Sequence, residues 1–469
     1  MYQKLIKIVV FISCAAILLL FYRALVQYPG NRYLYVLFSL VLNALLFAGF
    51  RKDRIFFDTF IGLFFWLGYW LKFSFRMAYR QGRFHEPVGP NFDYTGAAYD
   101  HALMVVACGV GALLLASFLR QRLGFTYREM ESGKRLDGIY HFYMRYRYQI
   151  WIGFSLMFIT IAVSNVYWGI YQRGSVPRTH LPFKLGGLYT WLLLFGSASL
   201  SALILDFELR LKSRLPYVAV VLTLLETFFS SVSMLSRGMI LNAGALGLGT
   251  LERLKKRGVL PSLRDCLLVS VVFILLFGLS ISTVRLMRDF SHYGVQRPQI
   301  KKLSHARRNA AILILDRWVG IEGAMAVSSC PKLGWDLWRE AWKESYANHG
   351  TSFYDREIAV SDYVDRSDVN QHHYISLPGM IAFCYYPGSF IFLFAAMFAA
   401  GGLGTAIDLS IFKFSGSNLI LTALLAQVVA SRYAHFGYVP AQSHLLFGTI
   451  GVNVLLIICL NRILLARGN

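Results

Sequence analysis

Hydrophobic positions along the chain fall into long continuous runs, broken by short clusters of Arg, Lys, Gly and Pro. Runs near the length needed to span a bilayer, about 20 residues, recur from one end to the other. A barrel would show short alternating strands instead, so the pattern predicts an all-α polytopic membrane protein. The runs place helices at 5–22, 34–50, 55–79, 102–119, 149–171, 188–207, 216–236, 238–251, 265–284, 375–400, 417–433 and 442–461, about twelve transmembrane spans. The first, "LIKIVVFISCAAILLLF", is followed by no convincing cleavage site and reads as a retained helix.

Basic residues set the expected orientation. With both termini inside, and Lys7 and Arg432 counted with the segments they border, the inner segments hold 23 Lys and Arg, against nine in the five short outer loops. This asymmetry predicts an N-in, C-in topology. One outer segment, 285–374, holds 13 basic and 11 acidic residues. Within it, "LSHARRNAAILILDRWVGIEGAMAVSS" and "LGWDLWREAWKESYA" have helical apolar spacing, which predicts a helical extracytoplasmic cap between helices 9 and 10. The expected division is therefore a helix bundle over 1–284, the cap over 285–374, and a second bundle part over 375–469.

Composition agrees with this class. Of 469 residues, 56% are hydrophobic and only 15% charged, where a soluble domain carries about 25% charged residues. The net charge of +22 is mostly topological and gives no indication of nucleic acid, since no soluble basic patch with interleaved aromatics is present. The six cysteines form no CxxC pair and read as small packing residues. No HExxH or P-loop motif is present, and His372-His373 are adjacent, a poor spacing for a shared metal on a helix.

The charges that remain inside or beside the runs are the candidate chemistry. Glu226, Ser230, Ser233 and Arg237 are spaced to form one polar stripe on a continuous seventh helix. Lys72, Arg76 and Arg80 repeat that pattern on the third. Like charges on one helix face repel, so this array anticipates a multivalent anion at the outer surface. Arg285, Arg288 and His292 share a face after the ninth span. Arg317, the pair His372 and His373, and Arg432 with His435 lie at further outer positions. Lysine and arginine at headgroup depth suit phosphate, with arginine adding bidentate geometry.

Three stretches carry a family likeness: "FWLGYWLKF" at 65–73, "SMLSRGMILNAG" at 233–244 and "HHYISLPGMIAFCYYPGSFIFLF" at 372–394. With these, the chain resembles the Wzy-type polymerases of bacterial O-antigen, capsule and exopolysaccharide repeat units. The resemblance implies a metal-independent glycosyltransferase in the bacterial inner membrane, working without a cofactor on the extracytoplasmic side. Its donor and acceptor would both be polyprenyl-pyrophosphate-linked oligosaccharides, set in membrane lipid, with a chain-length regulator and a flippase as candidate partners. It implies pyrophosphate binding by Arg237, Arg76, Lys72, Arg80, Arg285, Arg288, Arg317 and Arg432. The catalytic base would be His372 or His373, with Glu322 as the second choice. The cap tryptophans Trp335, Trp338 and Trp342 could stack on sugar rings or form the core of the cap. Two other readings stay open: a flippase or other transporter, to which the intramembrane Glu226 would suit proton coupling, and another lipid-sugar transferase such as an O-antigen ligase.

Overall fold

A computed structural model describes residues 2–84, 87–130, 136–212, 214–236, 238–259, 261–293, 315–345, 351–364 and 373–468. The described residues are 75% helix, with no strand among them. In order, the helices are α1 (Tyr2–Gln27), α2 (Arg32–Ala48), α3 (Phe56–Phe65) and α4 (Lys72–Arg80), α5 (Gly96–Arg122), α6 (Asp137–Arg145), α7 (Arg147–Trp168), α8 (Leu185–Trp191) and α9 (Ser197–Leu211). There follow α10 (Tyr217–Ser233), α11 (Met239–Lys256), α12 (Leu263–Tyr293), α13 (Ile321–Ser328), α14 (Trp335–Trp342), α15 (Met380–Cys384), α16 (Phe390–Phe414), α17 (Leu419–Ala434) and α18 (Ser443–Gly468). Among the described residues, six helices are long and apolar enough to cross a membrane, and four more apolar helices are shorter. This is consistent with a polytopic membrane protein.

Helix ends follow local chemistry. Asn31 accepts the amide of Tyr33 at 2.9 Å and opens α2, and Thr95 accepts that of Ala98 at 3.3 Å and opens α5. The single span expected over 375–400 is instead broken. Helix α15 stops at Cys384, Pro387 and Gly388 intervene, and α16 starts at Phe390. Gly388 takes a left-handed φ of +72° in that break. Helix α10 likewise ends at Ser233, short of the expected 236, and Leu235 adopts a φ of +51°.

Packing divides the chain differently from the expected boundaries at 284 and 374. Unit 1 comprises Met1–Thr126, Lys301–Ile407 and Val429–His444; unit 2 comprises Tyr127–Ile300, Asp408–Val428 and Leu445–Asn469. Most of the expected cap thus packs with the first helices. In unit 1, α3 and α4 form one rod through a π-helical turn at Trp66–Leu71. Helices α2 and α5 pack along each other, and α2 also lines the rod, where Trp70 Nε1 donates to Ser39 Oγ at 3.0 Å and Tyr35 meets Ser74 at 2.9 Å. In unit 2, α10 is the central helix, packed by α7, α9, α11 and α12.

Part of the segment expected as an outer cap packs closely on the helices of unit 1. Helix α13, "IEGAMAVS", is buried at all eight positions and packs on α5 and α15. Its lead-in meets Gly68, at the middle of the α3–α4 rod: a Cβ on Gly68 would collide with the Val319 carbonyl, and one on Gly320 with the Gly68 backbone. Ile381 of α15 rests on Gly109, about 20 Å along α5 from its first residue at 1.5 Å per residue. Small residues allow this approach, because backbones can come together only where side chains are absent. Gly320→Ala is accordingly expected to destabilise unit 1 by about 1–3 kcal/mol or more. The corresponding fall in melting temperature is measurable in detergent, and an unchanged value would refute this backbone contact.

Candidate functional site

Unit 1 gathers its charges where the α3–α4 rod meets the residues leading into α13. The π-helical turn inserts an extra residue just before Lys72, a device common at functional sites. Beyond it Lys72, Arg76 and Arg80 stand one turn apart on α4, as their spacing predicts. Their surroundings are not those of a free cationic array. Lys72 is 1% exposed, and its ammonium donates to both Glu322 oxygens at 3.0 Å and to the Asp316 carbonyl at 3.3 Å. An ammonium has three donors, and all three are used. Lys72 and Glu322 therefore answer each other, and neither is presented to a ligand as the expected phosphate contact or base.

Arg76 lies one turn further out. Its Nη2 is hydrogen-bonded to Asp316 Oδ2, and its Nη1 reaches the Arg83 carbonyl at 3.4 Å. This pair is incomplete. Arg76 Nε and Asp316 Oδ1 are both buried without a hydrogen-bond partner among the described residues. Unpaired polar atoms are rare in protein interiors, because each forgoes its hydration without compensation. Here a donor and an acceptor are left over side by side in one ion pair. Arg317 follows Asp316 directly and is half-buried, whereas Arg80 is exposed at the end of α4.

The remaining expected residues of unit 1 are placed elsewhere in that unit. Arg432 holds the turn before α18: it donates to Ser443 Oγ at 2.8 Å and to the Tyr438 carbonyl at 3.2 Å, with its guanidinium over the Phe436 ring. His373 is half-buried in the extended stretch 373–379, and His372 lies outside the described residues. Trp338 is half-buried against Trp342, Phe383 and Phe392, while Trp335 keeps half its surface exposed. Glu344 ties this part together, accepting the amides of Phe353 and Val439. Burial holds its carboxyl above the ordinary glutamate range, with those two amides opposing the effect.

In unit 2, Arg288 on α12 donates to the Leu235 carbonyl at 2.7 Å and to that of Arg173 at 3.4 Å. It thereby satisfies the turn that follows α10, which ends within two residues of Arg237. Arg237 itself lies outside the described residues, as does the side chain of His292, and Arg285 is exposed. Because α10 stops at Ser233, the helical stripe runs through Glu226, Ser230 and Ser233 but does not continue to Arg237.

Comparison with protein-family models, curated proteins and solved structures found no match. The chemistry of this site therefore rests on its own geometry.

Two pairings in unit 1 were not foreseen from the sequence. Asp316 stands in "DRWVGIEG", where Arg317 drew attention, and its partner Arg76 is 240 positions away. His101, near the start of α5, hydrogen-bonds the Tyr385 hydroxyl at 3.0 Å across the α15–α16 break. No local pattern signals either pairing.

Proposed function

We propose that this protein polymerises lipid-linked oligosaccharide repeat units. It would lie in the bacterial inner membrane with twelve spans, both termini inside and the site toward the extracytoplasmic face. The observation that carries this reading is the Arg76–Asp316 pair, which keeps one donor and one acceptor unpaired among the described residues. Glycosyl transfer between two lipid-linked units needs both. The acceptor sugar's hydroxyl oxygen bonds to C1 of the donor glycan as the bond from C1 to the pyrophosphate oxygen breaks. The electron pair stays with the departing pyrophosphate, and the hydroxyl proton must leave.

Arg76, with Arg80 one turn along α4 and Arg317 next to Asp316 in sequence, would supply cations for the charge that develops on the leaving group. Asp316 Oδ1 would take the proton, a task also open to His373 or His372. The Lys72–Glu322 pair positions Asp316, since Lys72 also holds the Asp316 carbonyl. Arg285, Arg288 and Arg237 of unit 2, and Arg432, remain proposed phosphate contacts for the polyprenyl-pyrophosphate donor and acceptor.

A transporter or flippase is the second reading. It is favoured by the non-helical backbone at Val319 and Gly320 packed against the middle of the rod, which resembles the broken helices of transporter sites. Proteoliposomes holding lipid-linked repeat units separate the two. A polymerase lengthens the glycan without a membrane gradient; a flippase changes its sidedness and leaves its length alone. An O-antigen ligase would use the same donor but leave a lipid-linked repeat unit unextended. Movement without lengthening would refute the polymerase reading.

A further inference from the structure

We infer that Glu226 is a proton-binding site in the core of unit 2. It stands in the middle of α10 at 1% exposure. Among the described residues its only hydrogen bond comes from Ser230 Oγ, one turn along, to Oε1 at 2.8 Å. The other oxygen, Oε2, is buried without a partner among those residues. The neighbouring hydroxyls of α10 do not serve it, because Thr223 and Thr227 donate to the carbonyls of Ala219 and Leu224 on their own helix.

No described counter-charge reaches it either. Of the helices packed on α10, α7 carries Arg147, engaged by Glu208. Helix α9 carries Asp206, Glu208 and Arg210 in its last turns, all in ion pairs. The charges of α11, Glu252, Arg253, Lys255 and Lys256, also fall at its end. Helix α12 has Arg264 and Asp265 at one end, and Arg285 with Arg288 toward the other, where Arg288 is bound to the Leu235 carbonyl. None forms an ion pair with Glu226. Tyr148 and Tyr167 of α7 are exposed.

A carboxylate so placed would be an uncompensated charge in an apolar interior. A bound proton removes that charge. In this form Oε1 accepts from Ser230, and the O–H on Oε2 has no acceptor in the resting structure, so the proton is free to pass to one that arrives. Ser201 Oγ on α9 and Ser280 Oγ on α12 are further buried hydroxyls without partners on helices that flank α10. They mark this core as more polar than apolar packing requires.

Infrared difference spectra of the full chain in lipid test this, comparing the protein with its Glu226→Gln variant. At neutral pH the difference is expected to contain the C=O band of a protonated carboxylic acid, shifting down after exchange into D2O. Ser230→Ala, which removes the one donor to Oε1, is expected to move that band to higher wavenumber without abolishing it. This arm stands even where Glu226→Gln fails to fold. Carboxylate bands alone at neutral pH would overturn the proposal. So would conversion to carboxylate bands on replacing choline chloride by sodium chloride, since Glu226 would then be a metal-cation site.

Discussion

Replacing Glu322 by alanine is expected to lower the unfolding free energy of the protein by about 3–5 kcal/mol. The reason is what the substitution leaves behind. Lys72 is 1% exposed, and with Glu322 gone its ammonium would keep only the Asp316 carbonyl. A charge removed from water must be matched, and an unmatched one costs more than the pair ever contributed. The converse follows from the same physics. The double variant Lys72→Met with Glu322→Met removes both charges at similar volume and is expected to fall near the wild-type stability. Reactivity of the buried cysteines gives the readout, since Cys330 and Cys384 are 6% and 4% exposed in this unit. Thiol labelling should begin at lower temperature in Glu322→Ala and near the wild-type temperature in the double variant. Equal losses in both variants would mean that Lys72 and Glu322 act separately, and the assignment of their ion pair would fail.

This pairing also shows what the sequence could and could not reveal. Helix positions were legible because the apolar runs are long: α2, α5, α7 and α11 fall close to where hydropathy puts them. The breaks were not legible. Pro387 and Gly388 sit inside "FCYYPGSFIFLF", a run apolar enough to read through. The stop after Ser233 depends on Leu235 in a left-handed conformation that its residue type does not advertise. Residues 321–328 had helical apolar spacing, and a helix forms there. Its buried destination depends on glycines far apart in the chain, Gly68 and Gly320, meeting face to face.

The site follows the same division. Spacing correctly predicts that Lys72, Arg76 and Arg80 share a face of α4, because 3.6 residues per turn fixes it. The carboxylates that neutralise two of the three come from positions 316 and 322, beyond any local pattern. Charge counting therefore suggested three cations awaiting an anion, where the structure presents one closed ion pair and one incomplete one.

On the polymerase reading proposed above, with phosphate at Arg76 and Asp316 as base, the incomplete pair carries the largest expected effect on activity. Arg76→Lys is expected to reduce glycan elongation by roughly 100-fold or more, the loss typical when a group aimed at developing charge is misplaced. Lysine keeps the charge but not the planar fork, so it cannot hold Asp316 through one nitrogen and offer another to phosphate. This conservative variant is a better probe than alanine, which would also strand the Asp316 carboxylate, 7% exposed, without its cation. Asp316→Asn is the matching test of proton removal. It preserves shape and an oxygen acceptor for Arg76 but gives up the base, and it is expected to lower the elongation rate by about 100- to 10,000-fold. Thiol labelling of Cys384 in each variant checks that unit 1 remains folded. Folded Arg76→Lys and Asp316→Asn proteins that both elongate at the wild-type rate would show that these unpaired atoms have no part in the chemistry.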